Sequence, residues 1–281
     1  MTSTSKQVGD ADSKHLAHCA WAEHQRKLDV SAAEVYRLLQ DRELNGAQGK
    51  LPRMRRVLFE PGQRIFEIGQ IFDTLAIVRL GFFKTVTGDG DGTERVVGFP
   101  MRGSIIGIEG IDTGRHQSCA QALTSGELIL VPYPELLKLR QTHPDLQACI
   151  FKAISAELEI HLSMIRLLAS RHAEARIARF LVWLGARHGG LGYSDSEYYL
   201  RMRRCDISSL LGVTLETVCR TLTTLRMMGI IEIKRHHLRI IDLHALSRVD
   251  CLPSTPARLK QIEANRLRRR ILRQRIDPTL H

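Results

Sequence analysis

No apolar run in this sequence approaches the ~18 residues that a membrane-spanning helix needs, so a helical membrane protein is excluded. The opening stretch, MTSTSKQVGDADSK, is polar and carries no apolar segment of the kind a secretory signal has. A cytoplasmic protein is expected. The cysteines Cys19, Cys119, Cys149, Cys205, Cys219 and Cys251 are scattered and include no CxxC pair. In a reducing compartment they read as free thiols, not as a disulfide framework. Histidine is nearly missing from residues 51–140, where His116 stands alone. A convergent His/Glu metal centre is therefore excluded there, and an enzyme is not expected.

What is present is positive charge, and its place matters more than its total of +11. Residues 1–50 hold seven basic and seven acidic side chains, and residues 51–170 hold thirteen of each. Residues 171–250 hold thirteen basic against eight acidic, and residues 251–281 hold eight against two. All the excess lies in the C-terminal 111 residues. Such asymmetry implies a polyanion-binding half and a neutral half with another task.

The neutral half begins with a polar leader, residues 1–50, in which VSAAEVYRLLQ (Val30–Gln40) has helical spacing. Residues 51–143 change character. Segments such as TLAIVRLGFFKTVTG and ERVVGFPMRGSIIG are rich in Val, Ile and Phe and are broken by glycines. Many short strands with turn residues between them predict an antiparallel barrel or sandwich. GDGDG (Gly88–Gly92) is then a hairpin loop, since the ligand pattern of a calcium loop is incomplete. Residues 144–170 switch to a helical period. Phe151, Ile154, Leu158, His161, Ile165 and Leu168 recur at alternating spacings of three and four, the seam by which two helices pair along their length. A helix packed on its own barrel remains the other reading.

The basic half, residues 171–246, opens with a helix over Ala173–His188, followed by a Gly/Tyr/Ser loop, Gly189–Tyr198. Ile207, Leu210 and Leu211 give a short helix an apolar stripe, which Gly212 ends and Thr214 restarts by capping the next helix. In that second helix Leu215, Val218, Leu222 and Leu225 fall on a buried stripe. Glu216, Cys219, Arg220 and Thr223 fall on an exposed one. The hairpin GIIEIKRHHLRIIDL follows, its basic turn at Lys234–His237. Two short helices and a basic wing predict a winged helix-turn-helix whose second helix fits the major groove of double-stranded DNA. There Arg220 donates to a guanine and Glu216 accepts from a cytosine or adenine amino group. Thr214 and Thr217 stand beside them, while Arg204, Lys234, Arg235, Arg226 and Arg239 supply phosphate contacts.

The segments FEPGQRIFEIGQ, GSIIGIEGI, SCAQAL, AEARIARFL and LLGVTLETVCRTL carry a resemblance. From about Leu51 to Leu246 the chain resembles the CRP/FNR family of bacterial transcription regulators, most of all its FNR branch. The resemblance implies an α+β fold: a cyclic-nucleotide-binding-like β-roll, a long dimerisation helix and a C-terminal winged helix-turn-helix. It implies a homodimer on a palindromic operator, with RNA polymerase as a partner and no membrane. Departures from the family narrow this. Where cyclic-AMP-binding members have a glutamate and an arginine–serine pair, this chain has Ile108 and Gln117–Ser118, so cyclic AMP is not expected. Of the four cysteines that hold the [4Fe–4S] cluster of FNR, only Cys19 has a counterpart. Ala22, Leu28 and Ile129 replace the others, and no such cluster is expected. Leu215 stands where CRP has an arginine, which favours an FNR-like half-site of the TTGAT type. Cys219 replaces a serine and His161 an aspartate, the latter implying a less strictly gated dimer.

Two stretches stay open. His15, His18, Cys19 and His24 match no firm metal spacing and read as leader, with zinc or haem iron the alternative. In the extension 247–281, RLRRRILRQR (Arg266–Arg275) holds six arginines. It reads as a solvated tail, as added phosphate contacts, or as a membrane-surface segment. The rival to a DNA-binding protein is a ligand- or redox-sensing barrel whose C-terminal half binds another protein.

Overall fold

A computed structural model of the chain describes residues 29–39, 50–88 and 93–250. The chain divides into two compact units, one ending at His161 and the other starting at Leu162.

The first unit is built from two antiparallel sheets. The five-stranded sheet comprises β1 (Asp29–Ser31), β2 (Lys50–Phe59), β9 (Gly126–Pro132), β4 (Thr74–Leu80) and β7 (Ile105–Ile106), in that spatial order. The four-stranded sheet comprises β3 (Arg64–Phe66), β8 (Cys119–Ala122), β5 (Phe83–Gly88) and β6 (Glu94–Gly98). β5 and β6 pair directly across the GDGDG segment, as a hairpin there requires. The interior strand β4 carries an apolar run, Leu75–Val78, because it is buried there on both faces. Ala76 and Val78 point inward with Val57, Phe59 and Leu128, against Phe66, Phe83, Ala120 and Ala122 of the second sheet. Leu75 and Ile77 point the other way, with Met54, Ile129 and Val131.

Helices cover that outer face. They are α1 (Ala32–Leu38), α3 (Tyr133–Thr142) and the start of α4 (Pro144–Leu168), and the one-turn α2 (Gly110–Thr113) lies between β7 and β8. Val35 and Leu38 of α1, Leu136 and Leu139 of α3, and Leu146, Cys149 and Ile150 of α4 complete one cluster with the outer face. The sequence assigns residues up to 50 to a leader, but residues 29–39 belong to the roll. β1 pairs with β2, Ser31 caps α1 by accepting from the Glu34 N–H at 3.2 Å, and Val35 is fully buried. The histidine-rich leader patch lies outside the described residues, as does the Arg266–Arg275 segment.

The second unit contains α5 (Ala173–Gly190), β10 (Glu197–Tyr199), α6 (Arg204–Leu211), α7 (Leu215–Met227), β11 (Ile231–Lys234), β12 (His237–Ile240) and α8 (Leu243–Ser247). Its core gathers Ile177, Phe180, Leu181 and Leu184 of α5 with Leu211, Val218, Leu222, Leu225 and Leu238, all nearly inaccessible to solvent. The expected loop over Gly189–Tyr198 is shorter than the sequence implies. Glu197–Tyr199 forms a third wing strand against β12. Three residues flanked by Ser and Asp give no alternation to read, so only the pairing reveals it. Tyr198 is its anchor: its hydroxyl donates to the Leu181 carbonyl at 2.5 Å and its ring stacks on His188. Burial holds His188 below the usual imidazole range, so it stays neutral at physiological pH while its Nδ1–H donates to the Leu184 carbonyl.

Candidate nucleic-acid interface

Local chemistry sets the helix-turn-helix. At the start of α6 the Arg203 N–H donates to the buried Asp206 carboxylate at 3.0 Å, satisfying an end group of the helix. At its end Gly212 takes φ 61°, the left-handed turn that a side chain resists. Arg176 of α5 donates to the Leu211 carbonyl at 2.8 Å and so ties the turn to the helix behind it. Thr214 then caps α7, its Oγ1 accepting from the Thr217 N–H at 3.1 Å.

α7 separates its faces largely as its sequence predicts. Val218, Leu222 and Leu225 are buried, whereas Glu216, Arg220 and Thr223 are exposed and Thr217 and Cys219 half-exposed. Leu215 departs from the prediction: it is 49% exposed. It is the first helical residue, so no preceding turn covers it, and Thr221 and Thr224 take buried places instead. The outward stripe therefore begins with an apolar side chain at the helix tip, beside Glu216. Arg204 joins from α6, its Nη1 3.3 Å from Cys219 Sγ. That contact brings a guanidinium onto the stripe from fifteen positions upstream, a juxtaposition not legible in the sequence.

The wing narrows to a two-residue tip. Lys234 pairs with His237 across the ladder, so the turn is Arg235–His236 rather than the four residues expected. Arg235 carries φ 55°, a conformation that costs a side chain about 1–2 kcal/mol. Lys234, Arg235, His236 and Arg239 are exposed, with Glu232 3.0 Å from the Lys234 ammonium. Sequence reasoning missed Arg201, whose guanidinium lies 4.9 Å over the ring of the half-exposed Tyr199, next to His237. It adds a cation beside the tip of the wing.

Along α4 the residues of the expected seam divide between two faces. Ile154 packs on the roll cluster, and Leu168 is half-buried. Phe151, Leu158 and Ile165 of the expected seam are 55%, 60% and 62% exposed, joined by Leu162 at 42%. With Ser155 and Ala169, also exposed, they form an unbroken 4–3–4–3–4 stripe. His161 is exposed beside it, its Nδ1–H donating to the Glu157 carbonyl at 2.8 Å. The Glu157 carboxylate is buried and accepts from the Ile105 N–H at 3.2 Å, fixing the helix to the roll.

At the roll's counterpart of a cyclic-nucleotide pocket the polar side chains engage one another. Ser118 donates to the Glu109 carboxylate at 2.7 Å, and the buried His116 lies 3.7 Å from the same oxygen, an electrostatic contact longer than a hydrogen bond. Burial alone would raise Glu109; the neighbouring His116 and Ser118 outweigh it and hold the carboxyl below its usual range. A carboxylate thus occupies the serine that would grip a phosphate. Gln117 turns away to Thr113 Oγ1 at 2.9 Å, and Arg115 donates to the Gly69 carbonyl at 2.7 Å. Ile129, which stands at the fourth cluster position that the resemblance implies, is fully buried in apolar core, and burial pushes the Cys119 thiol up to about 12.

Comparison with known proteins agrees with this geometry. Residues 56–143 match the cyclic nucleotide-binding domain and residues 175–249 the Crp-like helix-turn-helix domain. Electron transport regulator A of Shewanella oneidensis is 36% identical over 193 residues, which are 69% of this chain and 77% of that one. The fumarate and nitrate reduction regulatory protein of Escherichia coli is 30% identical over 226 residues, 80% of this chain and 90% of that one. In fold, the chain is similar to FixK2 from Bradyrhizobium japonicum, with a TM-score of 0.62 at 22% identity over 72% of this chain and 99% of that one. No helix among the described residues is long and apolar enough to cross a membrane. With a roll, a long helix and an exposed Glu216–Arg220 face on a winged helix-turn-helix, this chain belongs to the CRP/FNR family of transcription regulators.

Proposed function

We propose that the protein acts in the cytoplasm as a homodimer on an FNR-like palindromic operator, acting through RNA polymerase and not as a catalyst. The observation that carries this is the pairing of Glu216 and Arg220, one helical turn apart on the exposed face of a capped helix. Arg220 reads guanine O6 and N7 as a fork, Glu216 accepts from a base amino group, and Cys219 and Leu215 meet thymine methyl groups. Arg204, Lys234 and Arg235 hold phosphates and set register. Two α4 stripes pair, Phe151 to Ile165, and their two-fold axis places the recognition helices one DNA turn apart, about 34–36 Å. Signalling does not pass through cyclic AMP or an FNR-type cluster, because Glu109 closes the phosphate position and the cysteine set is incomplete. The rival, a protein-binding C-terminal half, needs a covered wing, whereas Lys234 and Arg235 are exposed.

The test is Arg220→Ala in a gel-shift series against a palindromic TTGAT-type duplex. Specific binding drops by about 2–6 kcal/mol over two half-sites, with the dimer mass unchanged. A variant that footprints the same operator with native affinity removes α7 from the reading role.

A further inference from the structure

The outer face of the five-stranded sheet is apolar for most of its length and ends in charge. Arg56 of β2, Arg79 of β4 and Glu127 of β9 follow the same face as Met54, Ile77 and Ile129, two residues on. Glu34 of α1 closes them into a ring. Its carboxylate accepts from Arg56 Nη2 at 2.5 Å and from Arg79 Nε at 2.7 Å. Arg79 Nη1 reaches Glu127 at 2.7 Å, and Arg56 Nε lies 3.7 Å from the other Glu127 oxygen without a hydrogen bond. Two carboxylates balance two guanidiniums, so the ring itself is neutral. Above it opens a cleft of about 430 Å³, lined also by Ser31, Leu38, Leu80, Arg37 and Arg102. Arg37 and Arg102 are exposed and have no carboxylate partner among the described residues. Arg37 uses its Nε on the Ala33 carbonyl.

The cleft is therefore of small-molecule size with a surplus of two positive charges among the described residues. We propose that it binds a compact dianion, a dicarboxylate or a phosphate compound, clamped between Arg37 and Arg102 above the ion ring. Guanidinium forks match the planar oxygens of either group, and Leu38 and Leu80 pack against the carbon or bridging atoms between them. The site is separate from the Glu109–Ser118 position, which lies at the other sheet. It rests on the cluster that also holds Leu146 and Ile150 of α4, so a ligand that pins α1 acts on the helix bearing the exposed stripe.

The test is calorimetric titration of the full-length protein, at low ionic strength and without phosphate buffer, with sodium pyrophosphate and with sodium succinate. One equivalent of at least one probe binds per chain, and the identity of that probe separates phosphate from carboxylate recognition. R37Q/R102Q weakens it at least about tenfold, two charge-assisted contacts being lost, whereas K234Q/R235Q, which alters only the wing, leaves it unchanged. If the double variant does not fold, R37Q and R102Q are titrated singly and each loses affinity several-fold. Binding of neither probe, equal binding by R37Q/R102Q and the native chain, or equal losses in both double variants overturns the proposal.

Discussion

Cys119 and Cys205 sit in opposite environments, and their reactivity follows. Cys119 is 1% exposed with its thiol pushed up to about 12, whereas Cys205 is exposed at the start of α6. At pH 8 a maleimide or iodoacetamide reagent labels Cys205 in the native protein and Cys119 only on unfolding, as residue-resolved mass spectrometry will show. Native labelling of Cys119 at the Cys205 rate contradicts its burial and revives it as a redox sensor. Arg235 is the other residue of consequence. Arg235→Gly relieves its positive φ and stabilises the wing by about 1 kcal/mol in a urea melt, while weakening DNA binding by loss of a phosphate contact. A variant that is neither more stable nor weaker in binding removes both assignments. Thr214 and Gly212 were legible at this scale because capping and left-handed turns are local. The Arg204–Cys219 contact and the Glu109–Ser118 bond were not, since side chains far apart in sequence meet only when the fold brings them together.

At the scale of elements, α4 shows what periodicity resolves and what it leaves open. The sequence gives one seam, Phe151, Ile154, Leu158, His161, Ile165 and Leu168, and leaves open whether a second helix or the roll covers it. The roll takes the face that carries Leu146, Ile150 and Ile154 and leaves Phe151, Leu158, Leu162 and Ile165 uncovered. Leu158→Glu is therefore expected to separate the proposed dimer: with the contact counted twice across the axis, about 3–6 kcal/mol is lost. Sedimentation equilibrium should give a monomer with native helix content, and operator binding should fall with it. A native dimer mass for this variant would move the interface off α4. The place of α1, read correctly as a helix but assigned to the leader, and the existence of strand β10 were missed for a related reason. Neither local pattern names the partner that fixes the element, the roll core for the first and β12 for the second.

For the whole molecule, charge is the property that reaches furthest. The roll half is balanced and the C-terminal half holds the entire surplus, so affinity for any duplex should fall steeply with salt. Removal of residues 256–281, which lie outside the described residues, makes that dependence shallower by ~0.9 in log–log slope for each phosphate contact the tail supplies. Fluorescence anisotropy on the operator between low and physiological salt measures it, and an unchanged slope excludes the tail from the DNA. The same surplus explains why the anion titration needs a wing variant as its control: a basic protein attracts anions at other surfaces too, and the control separates these from the proposed cleft.

The sequence alone determined the order of roll, helix and winged helix-turn-helix, the Glu216–Arg220 face and the polarity of charge along the chain. These rest on spacing, capping and composition, which act between near neighbours. Tertiary structure alone decided which stripe of α4 stays uncovered, that Glu109 reaches Ser118, that Leu215 is left at the surface, and that Glu34 closes a ring with arginines from two strands. Those facts depend on which surfaces compete successfully for burial and which charges meet as a result, and that competition is settled only when the chain is folded.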